Sequence, residues 1–125
     1  MSVPYHIIVE GNPALIYASR DGAPRKVLPT LNRFLETFWQ ERDTSGSIGE
    51  TPDCLVAQII VRFGFEICED DFSNLRIGIQ FHSDVDYLYW VRADRQVQVW
   101  VPEPAYRQDP SLGLQACREL VFETT

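Results

Sequence analysis

Three side chains that could bind a metal or transfer a proton alternate along one short segment: His82, Asp84 and Asp86. Carboxylate oxygens and an imidazole nitrogen at alternate positions of a turn can converge on one cation, since both are common metal ligands. Three ligands from one loop are too few to close a coordination shell. Polar residues are also what an exposed strand connection ordinarily contains. We therefore predict no metal site at this turn.

A second acidic group follows the middle of the chain and comprises Glu66, Glu69, Asp70 and Asp71. Its carboxylates could attract magnesium, but their spacing is not that of an EF-hand loop. Carboxylates at a turn of an acidic chain are more often simply solvated. The sequence predicts a hydrated turn and no cofactor there.

Cys54 is the residue with the most nucleophilic surroundings, because Thr51-Pro52-Asp53 has the pattern of a helix start and a helix dipole favours thiolate. Asp53 and Glu50 oppose that effect, and no partnered base is evident, so we predict a small, partly buried side chain. The chain also lacks a GxSxG elbow and a glycine-rich phosphate loop. We predict no catalytic residue, which leaves open only an enzyme assembled from distant positions.

Charge and composition restrict the partners. The chain has 11 basic and 18 acidic side chains and a net charge of -7, which repels nucleic acid and anionic membranes. Three cysteines without a CxxC pair favour free thiols in a reducing compartment. The start of the chain lacks secretory-signal features, and no apolar run approaches the ~20 residues of a membrane span. These features predict a cytoplasmic protein with a single domain over residues 1–125.

The segment Tyr87 to Val101 is typical of a hairpin with aromatic residues on both faces. With a turn at Ala93 and Asp94, Tyr87 stands opposite Trp100, and Trp90 stands opposite Val97. One face then packs on a helix through Leu88, Trp90, Val97 and Val99. The other face is the predicted protein-binding surface, composed of Tyr87, Tyr89, Gln98 and Trp100. A helix of the same chain is the alternative cover for that second face.

Elements of the N-terminal half follow from hydrophobic spacing. Strands are predicted over residues 5–10 and 14–19, joined as a hairpin through Gly11, Asn12 and Pro13. Apolar residues at three- and four-residue intervals from Val27 to Trp39 predict a helix over residues 28–42. A second helix is predicted from Thr51 to Phe63, ended by Gly64.

Elements of the C-terminal half come from alternation and proline positions. Residues 65–68 suggest a short strand, and residues 75–81 alternate as the first strand of a meander with the hairpin. Asp109-Pro110 predicts a last helix over residues 111–121. The predicted fold class is α+β, with an antiparallel sheet of four to five strands packed with about three helices.

The segments CLVAQIIVRFGFEICEDDFSNLRIGIQF, YLYW and QVWVPEPAYR resemble short cyanobacterial proteins of unassigned function. The resemblance spans most of the chain without a diagnostic motif. It implies a cytosolic accessory protein of a photosynthetic cell, one that assists assembly or regulation. It carries over no catalytic residue.

Taken together, these patterns predict a non-catalytic protein-binding module that recognises a basic protein partner, or its own second copy in a homodimer, through the aromatic face. One alternative is a small-molecule sensor or small enzyme with a pocket between sheet and helix. Another is an acidic dimeric chaperone. A pocket of several hundred cubic ångströms favours the sensor, whereas a flat apolar patch favours a protein partner.

Overall fold

The computed structural model of this chain describes residues 3–46, 51–64 and 75–121. Within these residues six strands form one mixed sheet in the order β3-β2-β1-β4-β5-β6. The strands are β1 Tyr5–Val9, β2 Leu15–Ala18, β3 Leu75–Gly78, β4 Tyr87–Val91, β5 Val97–Pro102 and β6 Cys117–Leu120. The helices are α1 Pro24–Ser45, α2 Thr51–Gln58 and α3 Pro104–Gln108. The α+β class is therefore confirmed, although the sheet is larger than expected and is not wholly antiparallel.

Strands β1 and β4 lie side by side and parallel at the centre of the sheet, with Tyr5 paired to Tyr87 and Val9 to Val91. Both strands are almost continuously apolar, YHIIV and YLYWV, which suits central positions covered on both faces. The predicted meander is wrong for this reason: β4 pairs with β1, and β3 is displaced to the far edge. There β3 pairs antiparallel with β2 and leaves Ile77 56% exposed.

The N-terminal hairpin is confirmed, with β1 and β2 antiparallel and Ile7 paired to Ile16. Helix α1 is longer than predicted at both ends. It begins at Pro24, since proline fits the first helical position, and continues past Arg42 to the left-handed C-cap Gly46. Its buried residues lie within the predicted apolar stripe: Val27, Leu31, Leu35 and Phe38.

The second predicted helix is also present, but its last part is wound differently. Regular α2 ends at Gln58 and continues as a π-helical turn over Ile59–Phe63 before Gly64. Leu55, Val56, Ile59 and Phe63 are buried, as the apolar pattern predicts. The short strand predicted over residues 65–68 and the acidic group at residues 66–71 lie outside the described residues.

The predicted C-terminal helix is wrong. Residues Pro110–Ala116 form a 3-10 helix that Gly113 interrupts at a φ of 62°, and Cys117–Leu120 then pair with β5 as strand β6. Pairing with the open edge of β5 outweighs the weak helical preference of these residues. Just before this segment, the short helix α3 starts at Pro104, where only the end of the hairpin was expected.

The hairpin of β4 and β5 forms, but the predicted register is wrong by one residue. Trp90 pairs with Gln98, and Leu88 pairs with Trp100. The connection is longer than two residues, because Arg92 bonds to Gln96 and Arg95 adopts a positive φ of 73°. A slip of one residue exchanges the faces of a whole strand.

Two apolar layers enclose the sheet. Helices α1 and α2 cover the first face, to which β1 and β4 contribute Tyr5, Ile7, Val9, Tyr89 and Val91. The second face is covered by residues near Val85, by α3 through the fully buried Tyr106, and by the 3-10 segment. Among the described helices, none has the length and apolar character needed to traverse a bilayer.

Candidate functional site

The four residues of the predicted protein-binding surface do not share a face. Tyr89 is fully buried under the helices, and Tyr87 is half-buried beside it. Gln98 and Trp100 lie half-buried on the opposite face, together with Trp90. The surface as composed from the sequence is therefore not formed, because the register on which it depended is wrong.

A pocket of about 280 Å³ lies where the parallel strands β1 and β4 end. Strand β1 contributes Val9 and the adjoining Glu10, and β4 contributes Val91 and the adjoining Arg92. After this point the chain turns from β1 toward β2 on one side and from β4 toward β5 on the other. Diverging connections at the carboxyl ends of parallel strands leave a crevice in which ligands commonly bind.

Helices complete the walls of this pocket. The last turns of α1 contribute Trp39, Arg42 and Asp43, and the first two turns of α2 contribute Thr51, Pro52 and Leu55. An α-helix presents the positive end of its dipole at its N-terminus. The start of α2 lies at this side of the pocket, where the carboxylate of Asp53 in the first turn opposes the dipole.

Arg95 joins the tip of the hairpin to the end of α1. Its guanidinium donates two hydrogen bonds to the Asp43 carboxylate, at 2.8 and 2.5 Å. The same group lies over the indole ring of Trp39, 4.7 Å from the ring centre. The ion pair holds the pKa of Asp43 below its usual value, with Arg95 as the cause. This arrangement forms one wall of the pocket.

Glu10 joins β1 to the same hairpin loop. Its side chain accepts a hydrogen bond from the backbone N–H of Ala93 at 2.8 Å, and its own N–H donates to the carbonyl oxygen of Val91 at 2.9 Å. Both acidic side chains of the pocket thus already accept hydrogen bonds. Glu10 accepts from the backbone N–H of Ala93, and Asp43 accepts from Arg95.

Three nitrogen atoms of the pocket-lining side chains lack an acceptor within the described part of the chain. They are Nε1 of Trp39, Nε of Arg42 and Nε of Arg92, and all three are buried. A buried donor without an acceptor costs about 1–3 kcal/mol, so such groups are uncommon away from sites with a further role. All three atoms belong to residues that line this pocket, and the guanidinium groups of Arg42 and Arg92 also lie over the rings of Phe38 and Trp90, 5.4 and 5.6 Å from the ring centres. The pocket is therefore the candidate functional site.

The side chains of His82 and Asp84 both contact Tyr17, whereas Asp86 contacts Arg107. His82 stacks on Tyr17 with ring centres 4.0 Å apart, and Asp84 accepts a hydrogen bond from the Tyr17 hydroxyl at 2.9 Å. Asp86 lies 3.5 Å from Arg107. No group of three metal ligands occurs among the residues that the structure describes. This turn therefore fixes the second apolar layer to the sheet.

His6 is fully buried and has both ring nitrogens in use. Nε2 accepts a hydrogen bond from the backbone N–H of His82 at 2.9 Å, which places the ring proton on Nδ1, 3.1 Å from the carbonyl oxygen of Ile16. Burial lowers the pKa of His6 to about 4. The residue is a neutral structural histidine, as its apolar neighbours in the sequence suggest.

Cys54 and Cys117 are both free thiols. Cys54 is half-buried on α2, and Cys117 is buried on β6 with Sγ 3.5 Å from the carbonyl oxygen of Gly113. Burial raises the pKa of Cys117 to about 11, so its nucleophilic thiolate is scarce at neutral pH.

Two larger depressions are more open to solvent and have no arginine in their walls. One, of about 490 Å³, lies along α1, β5 and β6, and the other, of about 400 Å³, lies between Ile79 and the 3-10 segment. A third depression, of about 260 Å³, is also more open to solvent and has Arg42 and Arg62 in its walls. The pocket at the ends of β1 and β4 is thus distinguished by its three arginines and by being less open to solvent.

Sequence reasoning missed all three pocket arginines: Arg42, Arg92 and Arg95. The available signal was the pair of arginines flanking Ala93 and Asp94 in the hairpin turn, but arginines in a turn are ordinarily solvated. Only the tertiary fold brings Arg42 next to them.

A scan of protein-family models and searches of curated proteins and of solved structures find no match to this chain. The fold and the pocket geometry therefore define the class of this protein. It is an α+β domain with an arginine-lined pocket at the end of its central parallel strands.

Proposed function

We propose that this chain is a small-molecule-binding domain of the sensor type, with its ligand in the pocket at the carboxyl ends of β1 and β4. One observation carries the proposal: Trp39, Arg42 and Arg92 line one pocket, and each of them has a buried side-chain nitrogen without an acceptor in the described chain. At about 280 Å³ the pocket is near the lower end of the roughly 300–1,000 Å³ that small-molecule sites occupy. A small metabolite suits it better than a nucleotide.

The mouth of this pocket offers a position at which it can be blocked. Ala93 is an exposed pocket residue in the hairpin loop, so Ala93→Trp places an indole at the pocket without disturbing the core. Ala57 is equally exposed on α2 but does not line the pocket, which makes Ala57→Trp the matched control.

The experiment is a thermal-shift screen of a metabolite library on the wild-type chain and both variants. A ligand at a hundredfold excess over its Kd stabilises a protein by about 2.7 kcal/mol, an easily measured shift of several degrees. We expect compounds that stabilise the wild type and Ala57→Trp but not Ala93→Trp. A library without such compounds, or equal stabilisation of all three proteins, would refute the pocket as the binding site.

Protein binding through the sheet is the second candidate function. The residues that would contact the partner differ from the surface predicted from the sequence. Trp90, Gln98 and Trp100 lie half-buried on the second face, where Oε1 of Gln98 and Nε1 of Trp100 have no partner among the described residues. Tryptophan is also enriched among residues that dominate interface energies.

Trp100→Ala tests this second candidate. If a partner or a second copy binds there, the substitution weakens capture from a native-cell extract, or self-association in sedimentation, by about 2 kcal/mol or more. Leu114→Ala, in the same layer and within the 3-10 segment, is the control for indirect effects of a loosened core. Equal effects of both variants would indicate a purely structural role for Trp100.

A further inference from the structure

The charges that line the pocket favour an anion. Three arginines and two carboxylates line it, an excess of one positive charge in a chain whose net charge is -7. Asp43 is already bound by Arg95 through both oxygens, and Glu10 accepts from Ala93. The carboxylates of the pocket are thus occupied, whereas Arg42 and Arg92 have capacity left.

Arg92 has a competing partner, but a weak one. Its guanidinium lies 3.5 Å from Asp94, and both side chains are more than a third exposed. Solvent-exposed ion pairs of this kind contribute little, because water screens them and ordering two long side chains costs entropy. A ligand anion held between the walls of the pocket competes with Asp94 on favourable terms.

On the residues that line the pocket, the buried groups without partners in the described chain are all donors. Nε of Arg42, Nε of Arg92 and Nε1 of Trp39 need an acceptor, and a guanidinium binds a planar carboxylate through paired hydrogen bonds. A cationic ligand would meet repulsion from both arginines. A neutral ligand would leave their charge uncompensated.

The remaining walls of the pocket are apolar, and the space between them is small. Val9, Pro52, Leu55 and Val91 line the pocket together with the indole of Trp39. A ligand that fills about 280 Å³ between these walls and the arginines has a small hydrocarbon body attached to its charged group. A single positive excess matches one negative charge better than the two of a phosphate monoester.

From these observations we infer that the ligand is a small organic monocarboxylate, its carboxylate bound by Arg42 and Arg92 and its apolar body against Leu55. This inference rests on the proposed function, since it assigns the ligand class of the same pocket.

The test uses pairs of probes that differ only in charge. Acetate, hexanoate and benzoate are each compared with the corresponding amide by titration calorimetry and thermal shift. We expect at least one carboxylate to bind, at least tenfold more tightly than its amide. Inorganic phosphate and phenyl phosphate form a second arm, which separates a carboxylate site from a phosphate site.

Variants then assign the charge recognition to particular residues. Arg42→Gln and Arg92→Gln should each weaken carboxylate binding tenfold or more, while Arg42→Lys, which keeps the charge but not the fork, should weaken it less. Arg62→Gln is the matched control, because Arg62 is exposed, pairs with Glu41 and lies outside the pocket. Far-ultraviolet circular dichroism and melting temperature verify that each variant is folded.

Three results would overturn the inference and leave the proposed function standing. The first is equal binding of the amides, with loss of binding in Ala93→Trp, which indicates a neutral ligand. The second is binding of a phosphate probe but of no carboxylate. The third is failure of every probe while an uncharged library compound still binds in a manner sensitive to Ala93→Trp. Unchanged carboxylate affinity in Arg42→Gln and Arg92→Gln would likewise exclude the proposed contacts.

Discussion

The hydroxyl of Tyr89 donates a hydrogen bond to the carbonyl oxygen of Gly22 at 2.5 Å, deep between the sheet and the start of α1. Tyr89 is fully buried, and its ring lies edge-on to Tyr5 with centres 5.7 Å apart. Burial raises the pKa of Tyr89 far above its usual value, so the phenol stays a donor at all physiological pH values. A residue expected at an interface thus ties the segment before α1 to the central strand β4.

Tyr89→Phe should lower the free energy of unfolding by about 1–2 kcal/mol, because it leaves the Gly22 carbonyl oxygen buried without this donor. Urea denaturation measures the change. Tyr87→Phe is the control, since the Tyr87 hydroxyl has no hydrogen-bond partner among the described residues, and it should cost less. Equal costs for the two variants would show that the hydroxyl of Tyr89 adds no stability.

Gly22 itself has no room for a side chain. A Cβ atom there would lie 2.4 Å from the carbonyl oxygen of Val3 and 2.5 Å from Cδ1 of Tyr5. Gly22→Ala should therefore cost about 1–3 kcal/mol through overpacking, again measured by urea denaturation. Gly78→Ala, at a strand position with nothing within 4 Å of the added Cβ, should be neutral or stabilising. Similar losses in both variants would contradict this explanation.

The hairpin β4–β5 shows how far sequence reasoning extends and where it stops. Alternation of YLYWV and QVQVWV predicts two paired strands, because a strand buried on one or both faces needs these residue types. The register depends on the loop, and Arg95 takes a left-handed φ of 73° that its residue type does not indicate. The sequence therefore predicts a two-residue turn, which places Trp100 on the face of Tyr87.

Long-range pairing is the other part that local patterns could not supply. The parallel contact of β1 with β4 joins residues about 80 positions apart, and nothing in either strand specifies the partner. The pocket forms at that contact. Its walls come from four separate segments, so Arg42 and Arg92 become neighbours of one cavity only after the sheet has assembled.

His6 should make stability depend on pH. Its pKa is about 4 in the folded chain because of burial, with the nearby His82 adding to the effect and Asp84 opposing it, against an ordinary value of 6.5. The unfolded chain therefore takes up a proton first as pH falls. The contribution of neutral His6 to the free energy of unfolding is fully present above pH 6.5. It declines as the pH falls from 6.5 toward 4 and is lost below pH 4.

Between about pH 7 and about pH 5 this linkage should lower the free energy of unfolding by about 2 kcal/mol. Urea denaturation at several pH values measures it. His6→Gln removes the titrating group, so its stability should vary less across the same interval, even if it is lower throughout. His82→Gln is the comparison: because His82 only adds to the lowering of the His6 pKa, this variant should reduce the slope much less than His6→Gln does. A wild-type slope in His6→Gln would assign the effect to other groups.

The pair of Arg95 and Asp43 should act on local motion rather than on global stability. Both side chains are about half exposed, at 47% and 59%, so water and salt screen their attraction. Asp43→Asn replaces the charged acceptor and should leave the unfolding transition almost unchanged. Because the pair joins the hairpin tip to the end of α1, its loss should free the loop that forms one wall of the pocket.

Hydrogen exchange measured by NMR spectroscopy tests this prediction. In Asp43→Asn the backbone amides of Arg95 and Gln96 should exchange faster than in the wild type, and added salt should reduce the difference between the two proteins. Glu41→Gln is the matched control, because Glu41 lies on the same helix but pairs with Arg62 of the π-helical turn, away from the hairpin. Unaltered exchange at Arg95 in Asp43→Asn would mean that the stacking of Arg95 on Trp39 holds the loop without the carboxylate.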